Sequence, residues 1–351
     1  MIIASYFRYE LVFKKPAQTS RGVMQNHVAY YIVLKNGNRM GYGEASPLKG
    51  LSIDDRPDFE QKLKECIALI NDGLPIDALS LNDFPSIQFA FEVAALSLRF
   101  DKPFTVYNNS FIAGNPIHIN GLVWMNTQTE MLEEAFTKVE QGFDCIKFKV
   151  GALDFDEECR MLESFRKRYS AFKVELRLDA NGGFTTDEAA QKLKELSRFD
   201  IHSIEQPIRS KQPDYMHELC LETPIPIALD EELIGVDVAL DGEKLLTFIK
   251  PQYIILKPTL IGGLAVSDCW VKHAQKQNIG WWATSALESN IGLNAIAQWC
   301  ANYDLKLPQG LGTGSLYTNN ITSPLIVSNG FLQYNKHLAW AFPSNAQLRN
   351  P

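Results

Sequence analysis

Five charged residues stand at the ends of five short apolar runs: Lys149 closes "CIKFK", Asp179 closes "VELRLD", Glu205 closes "HSIE", Asp230 closes "IPIALD" and Lys257 closes "YIILK". They follow one another at intervals of 30, 26, 25 and 27 residues. Three carboxylates brought together would repel one another unless a cation lay between them. Oxygen donors without His or Cys suit a hard dication, so the expected metal is Mg2+, with Mn2+ an acceptable substitute. The two lysines bracket the acids in sequence order. An ammonium beside another ammonium and a dication holds its proton less tightly, which makes a lysine usable as a general base near neutral pH. Lys147, two residues before Lys149, is expected to supply that like charge.

For these residues to meet, the apolar runs must be strands whose ends lie at one height. Side chains alternate along a strand. If Lys149 faces one way, so does Lys147, while Ile146, Phe148 and Val150 face the other. Asp179 then shares its face with Arg177 and Asn181, opposite Leu176, Leu178 and Ala180. After Pro116, eight strand candidates alternate with helical stretches: "IHINGLVWM", "CIKFKV", "VELRLDA", "HSIEQP", "IPIALDE", "YIILKP", "GWWATS" and "LPQGLGTG". Thr185 and Glu188 open one of the helices as a capping box. Repeated β-α units of this length predict a (β/α)8 barrel, with the five charges at its C-terminal rim, where barrel enzymes keep their active sites. The rival, a doubly wound sheet, usually carries a GxGxxG fingerprint, and none is present.

The first 115 residues have a different texture. "YFRYELVF" and "HVAYYIVLKNG" read as strands joined onward through an Asn36-Gly37 turn, and helices are predicted within "DDRPDFEQKLKECIALIND" and "FPSIQFAFEVAALSLRF". Strands followed by helices make an α+β unit. The polar segment Ala17–His27 between the first two strands reads as a mobile loop.

Composition narrows the function classes. Of 351 residues, 46% are hydrophobic and 21% charged, with a net charge of -7. No basic run favours nucleic acid or an anionic membrane, and no apolar run reaches the ~20 residues of a membrane span. The start "MIIASYFRYE" lacks a basic stretch followed by a long apolar run, so no signal peptide is expected. Six scattered cysteines without a CxxC pair read as free thiols, which fits the cytoplasm. The histidines His202, His217 and His273 fall outside the strand ends and are assigned to packing or surface.

Taken together, Lys147-x-Lys149, "RLDANG", "IEQP", "ALDE" and "LKP" resemble the enolase superfamily in its muconate-lactonizing-enzyme subgroup. The resemblance implies an α/β fold with a (β/α)7β modified barrel at 116–325 and an α+β capping domain at 1–115, to which a tail at 326–351 returns. It implies Mg2+ ligands at Asp179, Glu205 and Asp230, lysines Lys149 and Lys257 on opposite faces of a small carboxylate substrate, and closure of the Ala17–His27 loop. The shared chemistry is removal of a proton next to a carboxylate, the pattern of a lysine base with bound Mg2+ that is known for this superfamily. No His stands at the mandelate-type position, and the eighth strand lacks the Asp-x-Asp of dipeptide epimerases.

"SALESNIGLNAIAQW" and "GLGTGSLY" resemble o-succinylbenzoate synthases, which implies dehydration of 2-succinyl-6-hydroxy-2,4-cyclohexadiene-1-carboxylate in the menaquinone pathway. N-acylamino acid racemase, another cycloisomerase and a metal-binding scaffold without turnover are the alternatives. Candidate substrate contacts are Arg177, Asn181, Ser285, Glu288, Gly312 and Arg21. Partners are expected to be small molecules, with no nucleic acid and no membrane; self-association into a homo-oligomer is left open.

Overall fold

Three strands near the N-terminus, β1 (Ile3–Thr19), β2 (Gly22–Asn36) and β3 (Arg39–Ala45), pair antiparallel in that order. The computed structural model describes residues 1–19 and 22–342. The turn at Asn36-Gly37 places Gly37 at φ 59, where a residue without a β-carbon is favoured. Ile32 and Leu34 of β2 face α1 (Phe59–Asn71) and α2 (Pro85–Ser97) and share one apolar cluster with Leu63, Ile70, Ile87 and Ala94. α2 lies so close to β3 that a β-carbon at Gly41 or Gly43 would fall 2.0 or 1.9 Å from a helix carbonyl oxygen. The "GYG" spacing is therefore a packing requirement.

The predicted loop Ala17–His27 is mostly strand. Ala17 pairs with Met24 and Thr19 with Gly22, after a register shift between Val12 and Ala17. Backbone pairing in a two-stranded ribbon does not require apolar side chains, so polarity misled the reading.

The larger body is a (β/α)7β barrel. Its seven parallel strands run β5 (Gly121–Val123), β6 (Cys145–Lys149), β7 (Glu175–Asp179), β8 (Ser203–Glu205), β9 (Ile227–Leu229), β10 (Tyr253–Leu256) and β11 (Gly280–Ala283). The helices between them are α3 (Gln128–Glu140), α4 (Phe155–Arg168), α5 (Thr186–Leu196), α6 (Pro213–Glu222), α7 (Glu243–Ile249), the short α8 (Pro258–Ile261) with α9 (Leu264–Lys276), and α10 (Asn290–Cys300) after β11. The Thr185–Glu188 capping box opens α5. The eighth strand is reduced to single bridges, Ile119 to Gln309 and Thr284 to Gly310, which close the ring. The first predicted barrel strand is split: β4 (Ile117–His118) leaves the barrel to pair with the β12 (Leu325–Ser328)–β13 (Phe331–Tyr334) hairpin. Trp340 beyond this hairpin stacks on Phe104 at 4.3 Å.

Helix-facing residues of the strands, among them Ile146, Phe148, Leu176, Leu178, Ile204 and Leu256, join the main core. All six cysteines are free thiols. Among the described residues, no helix is long and apolar enough to cross a membrane.

Candidate active site

Strand register brings the five charges together. Lys149 pairs with Asp179 across β6–β7, and Asp179 with Glu205 across β7–β8. Glu205 lies opposite Ala228, so Asp230 stands just beyond the end of β9, and Lys257 follows β10 directly. Because alternate residues of β6 and β7 pack into the core, Lys147, Lys149, Arg177 and Asp179 are left to the barrel interior.

Each carboxylate closes on an ammonium. Lys149 Nζ donates to Asp179 Oδ2 and Asn181 Oδ1, both at 2.6 Å. Lys147 Nζ donates to Glu205 Oε2 at 2.6 Å and lies 3.3 Å from Asp179 Oδ2. Lys257 pairs with Asp230 and reaches Glu205 Oε1 at 3.5 Å. The three acids and Lys147 are almost wholly buried. Lys149 is the most open of the three lysines, its side chain 12% exposed against 5% for Lys147 and 10% for Lys257.

Lys147 and Lys149 lie against the same Asp179 oxygen. Burial favours loss of the Lys147 proton, but Glu205 and Asp179 outweigh it and the pKa rises. Lys257 is likewise raised: burial lowers it, and Asp230 and Glu205 prevail. Burial pushes the Asp179 carboxyl up, yet Lys149, Lys147 and Lys257 hold it well below the usual range. Asp230 goes the other way. Burial raises it far above the usual range; Lys257 opposes this, and Glu231 and Glu205 add to it.

Among the described residues, no three acids, histidines or cysteines surround one point, because the carboxylates are turned onto lysines. The donor set still fits a hard dication. Asp179, Glu205 and Asp230 offer only carboxylate oxygens, and acid is in excess on the β9 side, where Glu231 and Glu232 are also buried.

The remaining sequence candidates divide. Asn181, at φ 45, accepts from Lys149 and donates to Glu231 Oε1 at 3.1 Å, so it belongs to the lysine's surroundings. Arg177 is engaged within the barrel. It is 1% exposed, donates to Glu175 and to the Pro308 carbonyl, both at 2.8 Å, and stacks on Trp282. It sits one layer deeper than Asp179, where the barrel floor consumes it. Glu288 is also fully enclosed. Its oxygens accept from Thr259 and Ser285 hydroxyls and the Ala286 N–H, and it makes no bond to Lys257. Ser285 is drawn into the same cluster, accepting from Thr313 at 2.7 Å. Gly312 is partly open at the turn after Gly310. Arg21 lies outside the described residues. His202, His217 and His273 stack or pack away from the acids, on Tyr253, Phe248 and the Val238 carbonyl.

Two buried polar contacts escaped the sequence reading. Gln206, next to Glu205, hydrogen-bonds the main chain at Asp230 at 3.1 Å. Glu44 of β3 accepts from Ser289 N at 2.7 Å and Gly292 N at 2.8 Å at the start of α10. For Glu44 a charged residue beside Gly43 and Ala45 was the signal, but it did not reveal the partner.

Comparison with known proteins agrees with the fold. Residues 130–337 match the family described as Enolase C-terminal domain-like, and residues 1–98 match the N-terminal domain family of MenC. The chain is 41% identical to an o-succinylbenzoate synthase of Desulfotalea psychrophila, over 93% of this chain and 98% of that protein. The crystal structure of MenC from the same organism superposes with a TM-score of 0.85 at 38% identity, covering 95% of this chain and 99% of the other. An o-succinylbenzoate synthase from Thermosynechococcus elongatus, solved with Mg in its active site, shares the fold at 24% identity and a TM-score of 0.74, over 88% of this chain and 92% of that one. The chain therefore belongs to the enolase superfamily and, within it, to the o-succinylbenzoate synthase family.

Proposed function

We infer that this chain is an o-succinylbenzoate synthase, dehydrating 2-succinyl-6-hydroxy-2,4-cyclohexadiene-1-carboxylate to o-succinylbenzoate. The observation that carries the reading is the order Lys–Asp–Glu–Asp–Lys on five adjacent parallel strands, β6 to β10, in a chain 41% identical to a synthase. Asp179, Glu205 and Asp230 would hold Mg2+; Mn2+, with the same preference for oxygen, would substitute. When bound, the metal supplies Lewis-acid stabilisation of negative charge on the substrate carboxylate.

The chain's own residues do the rest. Lys149, the most open of the three lysines, takes the proton from the carbon bearing the carboxylate, and the C–H pair moves toward the carboxylate. Lys257, on the opposite side of the acids, remains an ammonium and stabilises that charge. Lys149 then returns its proton to the departing hydroxyl, the C–O bond breaks, and water leaves as the ring becomes aromatic. Asn181 accepts from Lys149 at 2.6 Å and so limits where its nitrogen can go. Lys147 holds Glu205 and Asp179 in place from below.

The test is an assay of purified protein with Mg2+ on the cyclohexadiene substrate and on N-succinylamino acids. Formation of o-succinylbenzoate is expected. Racemisation without dehydration would replace this reading by the two-lysine racemase.

A further inference from the structure

β8 ends in a backbone conformation its sequence does not favour. Gln206 has φ 40, a left-handed value that a residue with a β-carbon adopts when its surroundings compel it. Its main chain is tied on two sides: its N–H donates to the Ala228 carbonyl at 2.9 Å, and its carbonyl accepts from Gly182 at 2.7 Å. The side chain is 0% exposed. Its Oε1 accepts the N–H groups of Asp230 at 3.1 Å and Glu232 at 3.3 Å. Its Nε2 donates to the Ile208 carbonyl and to Glu232 Oε2, both at 3.1 Å.

All four hydrogen-bonding positions of a primary amide are thus used. β9 pairs with β10 only as far as Leu229, so the Asp230 N–H has no strand partner there and is met by Gln206. A residue on the strand that carries the second carboxylate thereby fixes the main chain of the third.

We propose that Gln206 is a positioning residue for the dication, setting Asp230 relative to Glu205 so that both present oxygens to one ion. The proposal rests on the Mg2+ reading of the site. An amide is required because one end meets two donors and the other meets two acceptors. A carboxylate at 206 would keep the first pair and face Glu232 Oε2 and the Ile208 carbonyl with negative charge. A leucine would leave all four partners unmet in a buried place.

Calorimetric titration of Mg2+ into substrate-free protein tests this, with the melting temperature in EDTA measured for each variant. Gln206→Leu and Gln206→Glu should each weaken Mg2+ binding about 10- to 100-fold, the scale of losing a residue that orients a metal ligand. Combining Gln206→Glu with Glu232→Gln should restore much of the affinity, because the new amide at 232 donates to the new carboxylate at 206. A purely structural role would lower the melting temperature and leave the affinity of the folded protein unchanged. Single variants that bind Mg2+ within about twofold of wild type, or a double variant no better than Gln206→Glu alone, would overturn the proposal. Should Gln206→Leu fail to fold, the comparison of Gln206→Glu with the double variant decides. Wild-type protein that takes up no Mg2+ would instead sink the metal reading itself.

Discussion

Two regions of this molecule bury carboxylates, and they satisfy them in opposite ways. At the barrel mouth, Asp179, Glu205 and Asp230 are each paired with a lysine. At the seam between the N-terminal unit and the barrel, and within that unit, the acids meet neutral donors. Glu44 accepts from the hydroxyls of Ser46 and Ser289 and the N–H groups of Ser289 and Gly292. Glu92 accepts from Leu264 N and Ala265 N at the start of α9, and Asp54 from Ser86 N and Oγ near the start of α2. Burial raises all three, and the hydrogen bonds only offset it. The seam acids work as staples at helix starts, where free N–H groups and the helix dipole favour a negative end. The mouth acids are compensated by ammonium groups on neighbouring strands. Burial of a carboxylate is therefore not the mark of an active site; the nature of its partner is.

The sharpest break of this contrast is at Lys149. Lys149→Ala should lower dehydration by about 10^3-fold, as expected for loss of a general acid–base group, measured on the folded variant with Mg2+. Full activity would refute the assigned base.

Glu44→Ala should do the reverse. It strands the buried N–H groups of Ser289 and Gly292, costing about 2–4 kcal/mol of stability, read as a lower denaturation midpoint. Glu44→Gln, which keeps an acceptor oxygen, should recover part of that loss. An activity defect in folded Glu44→Ala as large as that of Lys149→Ala would erase the distinction between the regions.

Metal addition sharpens it further. Mg2+ at about 100 times its Kd should stabilise the wild type by about 2.7 kcal/mol over EDTA. Folded Glu44→Ala should gain the same increment and Asp230→Asn much less, both read by thermal melts.

The smallest expected effect is that of pH at Asp54, raised by burial to about 6. A carboxyl whose folded pKa lies above its unfolded value binds more protons when folded, so its contribution is full below about 4 and falls as pH rises through about 6. Between pH 5 and pH 7 this should cost about 1 kcal/mol. Wild-type stability should fall relative to Asp54→Asn over that window, and a difference constant with pH would remove the assignment.

Much of the site was legible because its signals are local. The placement of Lys147 and Lys149 on the inner face follows from alternation within five residues, and the rim position of Asp179, Glu205 and Asp230 from a repeat of one βα unit. The Ala17–His27 segment was misread because ribbon pairing depends on backbone, not on side-chain polarity. Alternation gave the face Arg177 takes but not its depth; two residues below Asp179, it meets Glu175 and Trp282. Glu44 could not be assigned, since its partner Ser289 is 245 residues away.

The chain by itself determined the types of the reacting groups, their spacing and the strands that carry them, because covalent order and side-chain alternation are properties of sequence. Only the closed barrel decided which charges touch. It set Asp179 against both lysines of β6, Glu205 between Lys147 and Lys257, and Gln206 under Asp230. Those contacts depend on strand register and on distances of a few ångströms between elements tens of residues apart, which packing of the whole core fixes and no local pattern encodes.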